Sequence, residues 1–198
     1  QDCLVVGGGE VAARKASNLL RSGARVRLVA PALVPPLEQL RKNGELEHRA
    51  GNFADSDLEG AHLAIAATDD PGVNERVAKA ARARCIPVNV VDRPEQGNCV
   101  MPSVIDRSPG VVAVSTGGAS PVLARLIRSR LESLIPAAYG RLAELASRFR
   151  DRVKARFADP ADRRRFWNRV LQGGVAERVF SGHMEEAEVL PEKHLDQA

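Results

Sequence analysis

The chain has 198 residues, of which 44% are hydrophobic, 27% are charged and 4% are aromatic, and its net charge is +4. These values are ordinary for a soluble globular protein of one or two domains. No apolar run reaches the ~20 residues that a membrane-spanning helix needs, so we expect no membrane association. The three cysteines show no CxxC spacing, which predicts buried free thiols in a reducing cytoplasm rather than a disulfide framework or a zinc site.

The first hundred residues alternate between short apolar runs and amphipathic stretches. Apolar runs predict strands at residues 3–6, 25–29, 63–67 and 87–91, with a weaker one at 46–49. Periodic stretches between them predict helices over residues 11–20, 37–41 and 73–84. Strands that alternate with helices form βαβ units, so the pattern predicts an α/β fold with a Rossmann-type parallel sheet over residues 1–101.

After Met101 the alternation of strands and helices gives way to one predicted strand followed by several helices. A strand is predicted over residues 111–115, followed by a helix that Ser120 caps and that runs to Leu134. Basic helices are predicted over residues 139–156 and 161–171, with a short helix after Gly173-Gly174. The acidic tail from Glu185 onward is typical of a linker or a frayed end.

A glycine-rich turn joins the first predicted strand to the first predicted helix. Gly7, Gly9 and Ala12 fit the pattern G-x-G-x-x-A. In this pattern the first glycine permits a tight turn, the second lets the backbone approach a pyrophosphate, and the small third residue lets the helix pack on the strand. The motif predicts dinucleotide binding, although a glycine turn that binds nothing would share the pattern. The second strand ends without the acid or arginine that distinguishes NAD from NADP, so the motif does not choose between them.

Polar residues follow two other strands, at the edge where ligands of open α/β sheets lie. Thr68 is placed to border a cofactor, whereas Asp69 and Asp70 are more typical of caps for the next helix. Asp92 ends the run "NVVD". A carboxylate there can act as a base beside a bound nicotinamide, but Asp before Arg-Pro also suits a turn, and the local sequence leaves both readings open.

A second glycine-rich strand-to-helix turn contains Ser115, Thr116, Gly117 and Gly118. Its hydroxyl and amide groups could receive a carboxylate or phosphate, in addition to capping the helix. The basic helices between Arg141 and Arg169 are open to three readings: a solvated surface, a receiver for a polyanionic small molecule, or a nucleic-acid surface. The four histidines show no metal-ligand spacing, so no resident metal site is expected.

Together these motifs resemble the N-terminal half of siroheme synthase, the precorrin-2 dehydrogenase and sirohydrochlorin ferrochelatase module. The resemblance runs from Cys3 to about Trp167 and is carried by "CLVVGGGEVAARKA", "LAIAATDD", "NVVD", "MPSVIDRSP" and "VAVSTGGASPVLARLIR". It departs from the family at Thr116, where many members have serine, although the hydroxyl is kept.

The resemblance implies NAD-dependent oxidation of precorrin-2 followed by insertion of ferrous iron, both assisted by Asp92 as the catalytic residue. It implies that NAD lies over Gly7, Gly9, Glu10 and Val11 and beside Pro31 and Ala32, and that residues 115–118 receive substrate carboxylates. It also implies a cytoplasmic homodimer with a dimerisation segment at 102–135, a helical domain at 136–198, and a linker to a fused uroporphyrinogen methyltransferase.

Two other functions remain open at this point. One is a dehydrogenase that leaves iron insertion to another protein, because no metal ligand set marks chelation. The other is a non-catalytic NAD-sensing module whose basic helices hold nucleic acid or a protein partner. The sensing module is disfavoured because a sensor needs no acid beside the nicotinamide and no second anion-receiving turn. We therefore expect no nucleic acid among the partners, and no membrane because the sequence has no long apolar run.

Overall fold

The computed structural model describes residues 1–196 and divides the chain into two compact units, the first spanning Gln1–Met101 and the second beginning at Pro102. The first unit contains the strands β1 (Asp2–Val6), β2 (Arg25–Ala30), β3 (Leu46–Ala50), β4 (Leu63–Ala66) and β5 (Val88–Val90). These five strands form one parallel sheet in the order β3-β2-β1-β4-β5. The helices are α1 (Glu10–Arg21), α2 (Pro35–Lys42) and α3 (Pro71–Ala83). The predicted Rossmann-type α/β fold is confirmed.

Strand β1 shows why this sheet is covered on both faces. Leu4 and Val6 pack into a core with α3, whereas Cys3 and Val5 pack into a second core with α1 and α2. All four side chains are buried. Because successive side chains point to opposite faces of a strand, a continuous apolar run requires helices on both sides of the sheet.

Between residues 102 and 196, the second unit consists of a two-stranded ribbon and five helices. Strands β6 (Ser103–Arg107) and β7 (Gly110–Val114) pair in antiparallel fashion. The helices are α4 (Pro121–Leu134), α5 (Ala138–Arg156), α6 (Pro160–Gln172), α7 (Gly174–Ser181) and α8 (Met184–Asp196). Side chains of α5 to α8 share one apolar core, in which Leu145, Val153 and Val179 are almost fully buried. The further division of this unit at residue 135 stays a prediction.

Helix α4 buries little of its own apolar surface within the chain. Ala124 is its one buried residue among those described, whereas Val122, Leu126 and Leu134 are 66%, 48% and 70% exposed. Ser120 caps the helix as predicted, because its hydroxyl accepts a hydrogen bond from the Leu123 amide at 3.1 Å. The capped helix therefore presents an uncovered apolar surface.

Three expectations from the sequence differ from the structure. Strand β6 was not predicted, because its short polar sequence gains strand structure only by pairing with β7. The linker predicted from Glu185 onward is wrong for the described tail: α8 buries Ala187 and Leu195 in the helical core, and Glu188 pairs with Arg148 at 2.9 Å. Of the cysteines, only Cys3 is buried, since Cys85 is exposed and Cys99 is partly exposed.

Candidate functional site

The turn between β1 and α1 is held against its neighbours at its first two glycines. Gly7 has φ +134°, and a Cβ atom there would lie 2.2 Å from the carbonyl oxygen of Ala67. A Cβ atom at Gly8 would lie 1.9 Å from the carbonyl oxygen of Ala32, and the Gly8 carbonyl accepts a hydrogen bond from the Val34 amide at 2.9 Å. Both positions therefore require glycine because other backbone passes close by.

Gly9 differs from its neighbours because a Cβ atom there would meet nothing within 4 Å. It is exposed and forms the N-cap of α1 without any side-chain cap. Glu10 is exposed in the first helical turn, Val11 is half-buried, and Ala12 is fully buried against the sheet. An open backbone cradle at the positive end of a 12-residue helix fits a dinucleotide pyrophosphate.

Two further predicted cofactor residues follow β2. Pro31 and Ala32 are both exposed at the carboxyl end of this strand. The Ala32 carbonyl closes over Gly8, so the loop after β2 and the glycine turn form one continuous backbone surface. This surface adjoins the open cradle at Gly9.

Thr68 and Asp70 form hydrogen bonds within the turn between β4 and α3. The Asp70 carboxylate accepts hydrogen bonds from the amides of Gly72 and Val73 at 2.8 and 3.2 Å, so Asp70 is the cap of α3. Asn74, which is buried, accepts from the Thr68 amide at 3.1 Å and donates to the Thr68 carbonyl at 2.8 Å. Asn74 was missed by sequence reasoning, although an amide inside an apolar helix face is a signal. Asp69 is exposed.

Asp92 stands directly after β5 with an unusual backbone conformation. Its φ is +60°, a region that costs a non-glycine residue ~1 kcal/mol and that aspartate tolerates better than most. The preceding Val91 amide donates to the Ala66 carbonyl at 3.0 Å, which continues the sheet up to this point. The side chain is exposed and, within residues 1–196, accepts no hydrogen bond. Asp92 is therefore both a turn residue and a free carboxylate at the ligand edge.

The segment that follows Asp92 returns along β5 and is fastened to it. The main-chain N–H of Asn98 donates to the Val88 carbonyl at 3.0 Å, and the side-chain oxygen of Asn98 accepts from the Val88 main-chain N–H at 2.7 Å. Asn89, which is 7% exposed, donates its side-chain amide to the Cys99 carbonyl at 2.9 Å. Within the described part of the chain, the side-chain oxygens of Asn89 and Gln96 are buried without a partner. Asn89 was also missed, although its place inside an apolar strand was a visible signal.

Lys15 is a charged residue of this region that sequence reasoning did not select. Burial, together with repulsion from Arg14, lowers the pKa of the Lys15 ammonium below its ordinary value of 10.5. The charges of Asp92 and Cys99 act in the opposite direction but do not outweigh the burial. The charge of Asp92 therefore offsets part of the effect of burial on the pKa of Lys15.

The second glycine-rich turn lies in the second unit and is closed by its own hydroxyl groups. The Thr116 hydroxyl donates to the Ser120 carbonyl and accepts from the Ser120 amide, both at 3.0 Å. The Ser115 hydroxyl accepts from the Gly117 amide at 3.1 Å, and Gly117 and Gly118 have φ of +64° and +90°. The glycines thus permit a turn that places residues 115–118 at the start of α4.

The residues predicted for the site fall into two groups. Residues 7–11, 31–32, 68 and 92 all lie at the carboxyl edge of the parallel sheet in the first unit, whereas residues 115–118 belong to the second unit. Among residues 1–196, no three His, Cys, Asp or Glu side chains come together as a metal-binding group. No helix in the same range has the length and apolar character needed to cross a membrane.

Comparison with protein families matches nearly the whole chain. Residues 1–103 match a family model described as NAD(P)-binding, residues 112–134 the model of the sirohaem biosynthesis protein central region, and residues 138–195 the sirohaem synthase dimerisation region. The siroheme synthase of Nitrosospira multiformis is 57% identical over 99% of the chain, and that of Chromobacterium violaceum is 56% identical over 98%. The chain belongs to the NAD(P)-binding family of the first model, and over nearly its whole length it resembles siroheme synthases.

The similarity to these siroheme synthases concerns only part of their length. The chain spans 42% of both the N. multiformis and the C. violaceum proteins. Among solved structures, that of SirC, a precorrin-2 dehydrogenase, is similar with a TM-score of 0.71 and 25% identity, covering 94% of each chain. The fold of the chain is therefore similar to that of a precorrin-2 dehydrogenase of nearly the same extent.

Proposed function

We propose that this chain oxidises precorrin-2 to sirohydrochlorin with NAD and then inserts ferrous iron to give siroheme. The observation that carries the proposal is Asp92, an exposed carboxylate free of hydrogen bonds at the same sheet edge as the open glycine turn. The similarity to siroheme synthases over nearly the whole chain and the similarity to a precorrin-2 dehydrogenase support the substrate class.

The residues at the glycine turn fit the dinucleotide that this oxidation needs. Gly9 leaves its backbone open to a pyrophosphate, and Gly7 and Gly8 hold the turn in shape. The bound nicotinamide would supply the acceptor for one hydride of precorrin-2. We assign Glu10 and Val11 to the same cofactor surface, with Pro31, Ala32 and Thr68 along its border. NAD rather than NADP is proposed from the family resemblance alone, because the loop after β2 offers neither an acid for the ribose nor an arginine for a 2′-phosphate.

Asp92 is proposed to remove protons in both reactions. Oxidation of precorrin-2 releases one proton for each hydride transferred, and two pyrrole N–H protons must leave before iron can bind the four nitrogens. A carboxylate without other hydrogen bonds is available to accept these protons. Its fixed place after β5 would let one group serve both steps.

The turn at residues 115–118 is proposed to receive carboxylate groups of the substrate. Precorrin-2 carries several acetate and propionate side chains, and the amide groups at the start of the 14-residue helix α4 suit anions. The Thr116 hydroxyl is engaged with Ser120, so we assign it to holding the turn as well as to lining it.

A dehydrogenase without chelatase activity is the second candidate. The similarity to SirC favours it, because that protein is described only as a precorrin-2 dehydrogenase and matches the chain over 94% of its length. In this case Asp92 would serve the oxidation alone.

The test is anaerobic absorbance spectroscopy of precorrin-2 mixed with the protein and NAD or NADP, followed by ferrous iron. We expect the wild type to oxidise precorrin-2 with NAD and then to insert iron, and Asp92→Asn to lose both activities by a factor of ~100 or more. Asn keeps the shape of the side chain and tolerates positive φ, so folding should be preserved. Asp69→Asn, an exposed acid at the same edge, is the matched control.

Each outcome separates the candidate functions. Oxidation without iron insertion by the wild type would leave a dehydrogenase only. Full activity of Asp92→Asn in both steps would reduce Asp92 to a turn residue. NAD binding without any oxidation would favour a non-catalytic sensing module.

The assembly is also part of the proposal. We propose a cytoplasmic homodimer, which the match to the sirohaem synthase dimerisation region supports. A fused uroporphyrinogen methyltransferase is consistent with relatives of which the chain covers 42%.

A further inference from the structure

Asn74 is a buried amide on the apolar face of helix α3, and the function proposed above gives it no role. Its side chain is 6% exposed, and Val77 and Ala78 on the same helix are fully buried in the core against β4 and β5. Burial of an amide in such surroundings is unfavourable unless its polar atoms find hydrogen-bond partners. The partners of Asn74 therefore indicate what this side chain does.

The hydrogen bonds of the Asn74 side chain within residues 1–196 all go to Thr68, two positions after the end of β4. Its oxygen accepts from the Thr68 amide at 3.1 Å and from the Thr68 hydroxyl at 2.8 Å, and its nitrogen donates to the Thr68 carbonyl at 2.8 Å. One side chain thus binds both main-chain polar groups and the hydroxyl of a single residue. Three bonds fix the orientation of Thr68 more closely than one bond would.

The Thr68 hydroxyl is engaged within this turn. It has acceptors in the Asn74 oxygen and, at 3.0 Å, in the Asp70 carbonyl, and it accepts from the Asp70 amide at 3.2 Å. A hydroxyl has a single proton to donate. Thr68 would therefore border a cofactor through the position of its main chain and not through a free hydroxyl donor.

The main chain that Asn74 holds lies against the glycine turn. A Cβ atom at Gly7 would lie 2.2 Å from the Ala67 carbonyl oxygen and 3.3 Å from the Thr68 nitrogen. The Ala67 amide also donates to the Val6 carbonyl at 2.8 Å, so the loop after β4 adjoins the loop after β1. A displacement of Thr68 would therefore alter one wall of the turn at which the dinucleotide is proposed to bind.

We propose that Asn74 is a positioning residue for the dinucleotide. It holds Thr68 and the loop after β4 in the conformation that completes the binding surface beside Gly7 and Gly9. Asn74 itself does not contact the ligand, because its side chain is buried and bound to Thr68. The inference rests on the proposed NAD binding and adds to it a residue that lies outside the fingerprint.

The alternative role for Asn74 is purely structural. Its hydrogen bonds would then contribute only to the stability of α3 and of the turn before it. A loss of stability lowers the fraction of the protein that is folded, whereas a misplaced Thr68 lowers the NAD affinity of the folded protein. Isothermal titration separates the two effects, because the number of sites reports the folded fraction and the Kd reports the affinity.

The experiment measures NAD binding to Asn74→Ala by isothermal titration, well below the unfolding temperature. We expect a Kd about tenfold higher than that of the wild type with an unchanged number of sites. In the dehydrogenase assay the KM for NAD should rise by a similar factor, while kcat at saturating NAD stays within about threefold. Val77→Ala is the matched control, because Val77 is fully buried on the same face of α3. It should lower the unfolding temperature and leave the Kd for NAD unchanged.

Asn74→Asp is a second test that keeps the shape of the side chain. A protonated carboxyl group can accept from the Thr68 amide and donate to the Thr68 carbonyl as the amide does, whereas a carboxylate cannot donate. Burial disfavours the carboxylate, so we expect a Kd for NAD close to that of the wild type at about pH 5 and about tenfold higher at about pH 8. This variant decides the question if Asn74→Ala does not fold.

Three results would overturn the inference. They are an unchanged Kd for NAD in folded Asn74→Ala, an equal rise of the Kd in Val77→Ala, and a Kd of Asn74→Asp, relative to the wild type, that does not change with pH. Each of them would leave the proposed function intact as long as the wild type binds NAD. A wild type that binds no NAD would overturn the proposed function and this inference together.

Discussion

Gly8 and Gly9, neighbours in the turn after β1, differ in the space available for a side chain. Gly9 faces open space at φ −90°, a conformation that alanine adopts freely. We expect Gly9→Ala to raise the Kd for NAD about tenfold, because its methyl group would occupy the cradle, and to leave the free energy of unfolding within about 1 kcal/mol of wild type. Isothermal titration with NAD and urea unfolding measure the two effects.

Gly8→Ala is the matched comparison for this prediction. Its Cβ atom would lie 1.9 Å from the Ala32 carbonyl oxygen, so the loop after β2 must shift. We expect the free energy of unfolding to fall by about 1–3 kcal/mol. Equal losses of stability in both variants would contradict the assignment of Gly9 to ligand binding.

Single residues differ in how far the sequence predicted them. Gly7 and Gly9 follow from the dinucleotide fingerprint. The place of Asp92 at the end of a strand left its role open between a turn residue and a base, and only the family resemblance implied the catalytic role. The requirement for glycine at position 8 could not be predicted, because the backbone that leaves no room for a side chain there belongs to the loop after β2. The buried amide of Asn89 depends likewise on a later segment of the chain.

At the scale of elements, an ion pair ties β3 to the 3₁₀ turn at Asp55–Leu58. Arg49 donates from its Nε atom to Asp57 at 2.6 Å, and a second guanidinium nitrogen contacts the other carboxylate oxygen. Burial opposes the charge on Asp57, but the hydrogen bonds from Arg49 and from the Ala54 amide hold the pKa of Asp57 below its ordinary value of 3.8. The charged carboxylate therefore stabilises the folded state.

The sign of the pH dependence follows from this lowered pKa. The stabilisation is complete above pH 3.8, the ordinary value, and is lost as the pH falls through the lower pKa of the folded protein. We expect urea unfolding to show that the wild type is more stable than Asp57→Asn at pH 6, and that the difference narrows below pH 3.8. Asp55→Asn, in the same turn and more exposed, is the control. A difference that is independent of pH would assign the effect to packing alone.

Elements with a strong internal pattern were predicted from the sequence, and those that depend on a partner were not. Helix α1 has its apolar residues at helical spacing and was predicted from them. Strand β6 has no such pattern and is specified by its pairing with β7. The sequence of helix α8 resembles a polar tail, because its few apolar residues become recognisable as core residues only when they pack against α5 and α7.

At the scale of the whole molecule, the uncovered apolar surface of α4 bears on the proposed dimer. We expect Leu126→Glu to yield monomers in sedimentation equilibrium, because a carboxylate at the centre of this surface would have to be buried without a partner. The unfolding temperature measured at monomer concentrations should change little, since Leu126 is 48% exposed within the chain.

A second variant tests where the dimer contact lies. The family model for the dimerisation region matches residues 138–195, whereas the sequence led us to expect dimerisation through residues 102–135. Val189, on α8, is also 48% exposed. If Val189→Glu gives monomers and Leu126→Glu still gives dimers, the dimer contact lies on α8 and not on α4.

The return of residues 97–99 along β5 has a consequence for the behaviour of the protein in concentrated solution. An outermost strand normally offers its amide and carbonyl groups to strands of other molecules. Here Asn98 and Cys99 occupy the main-chain groups of Val88, and the opposite outer strand, β3, carries Glu47, His48 and Arg49. Both margins of the sheet are therefore protected against edge-to-edge aggregation, one by its own chain and the other by charge.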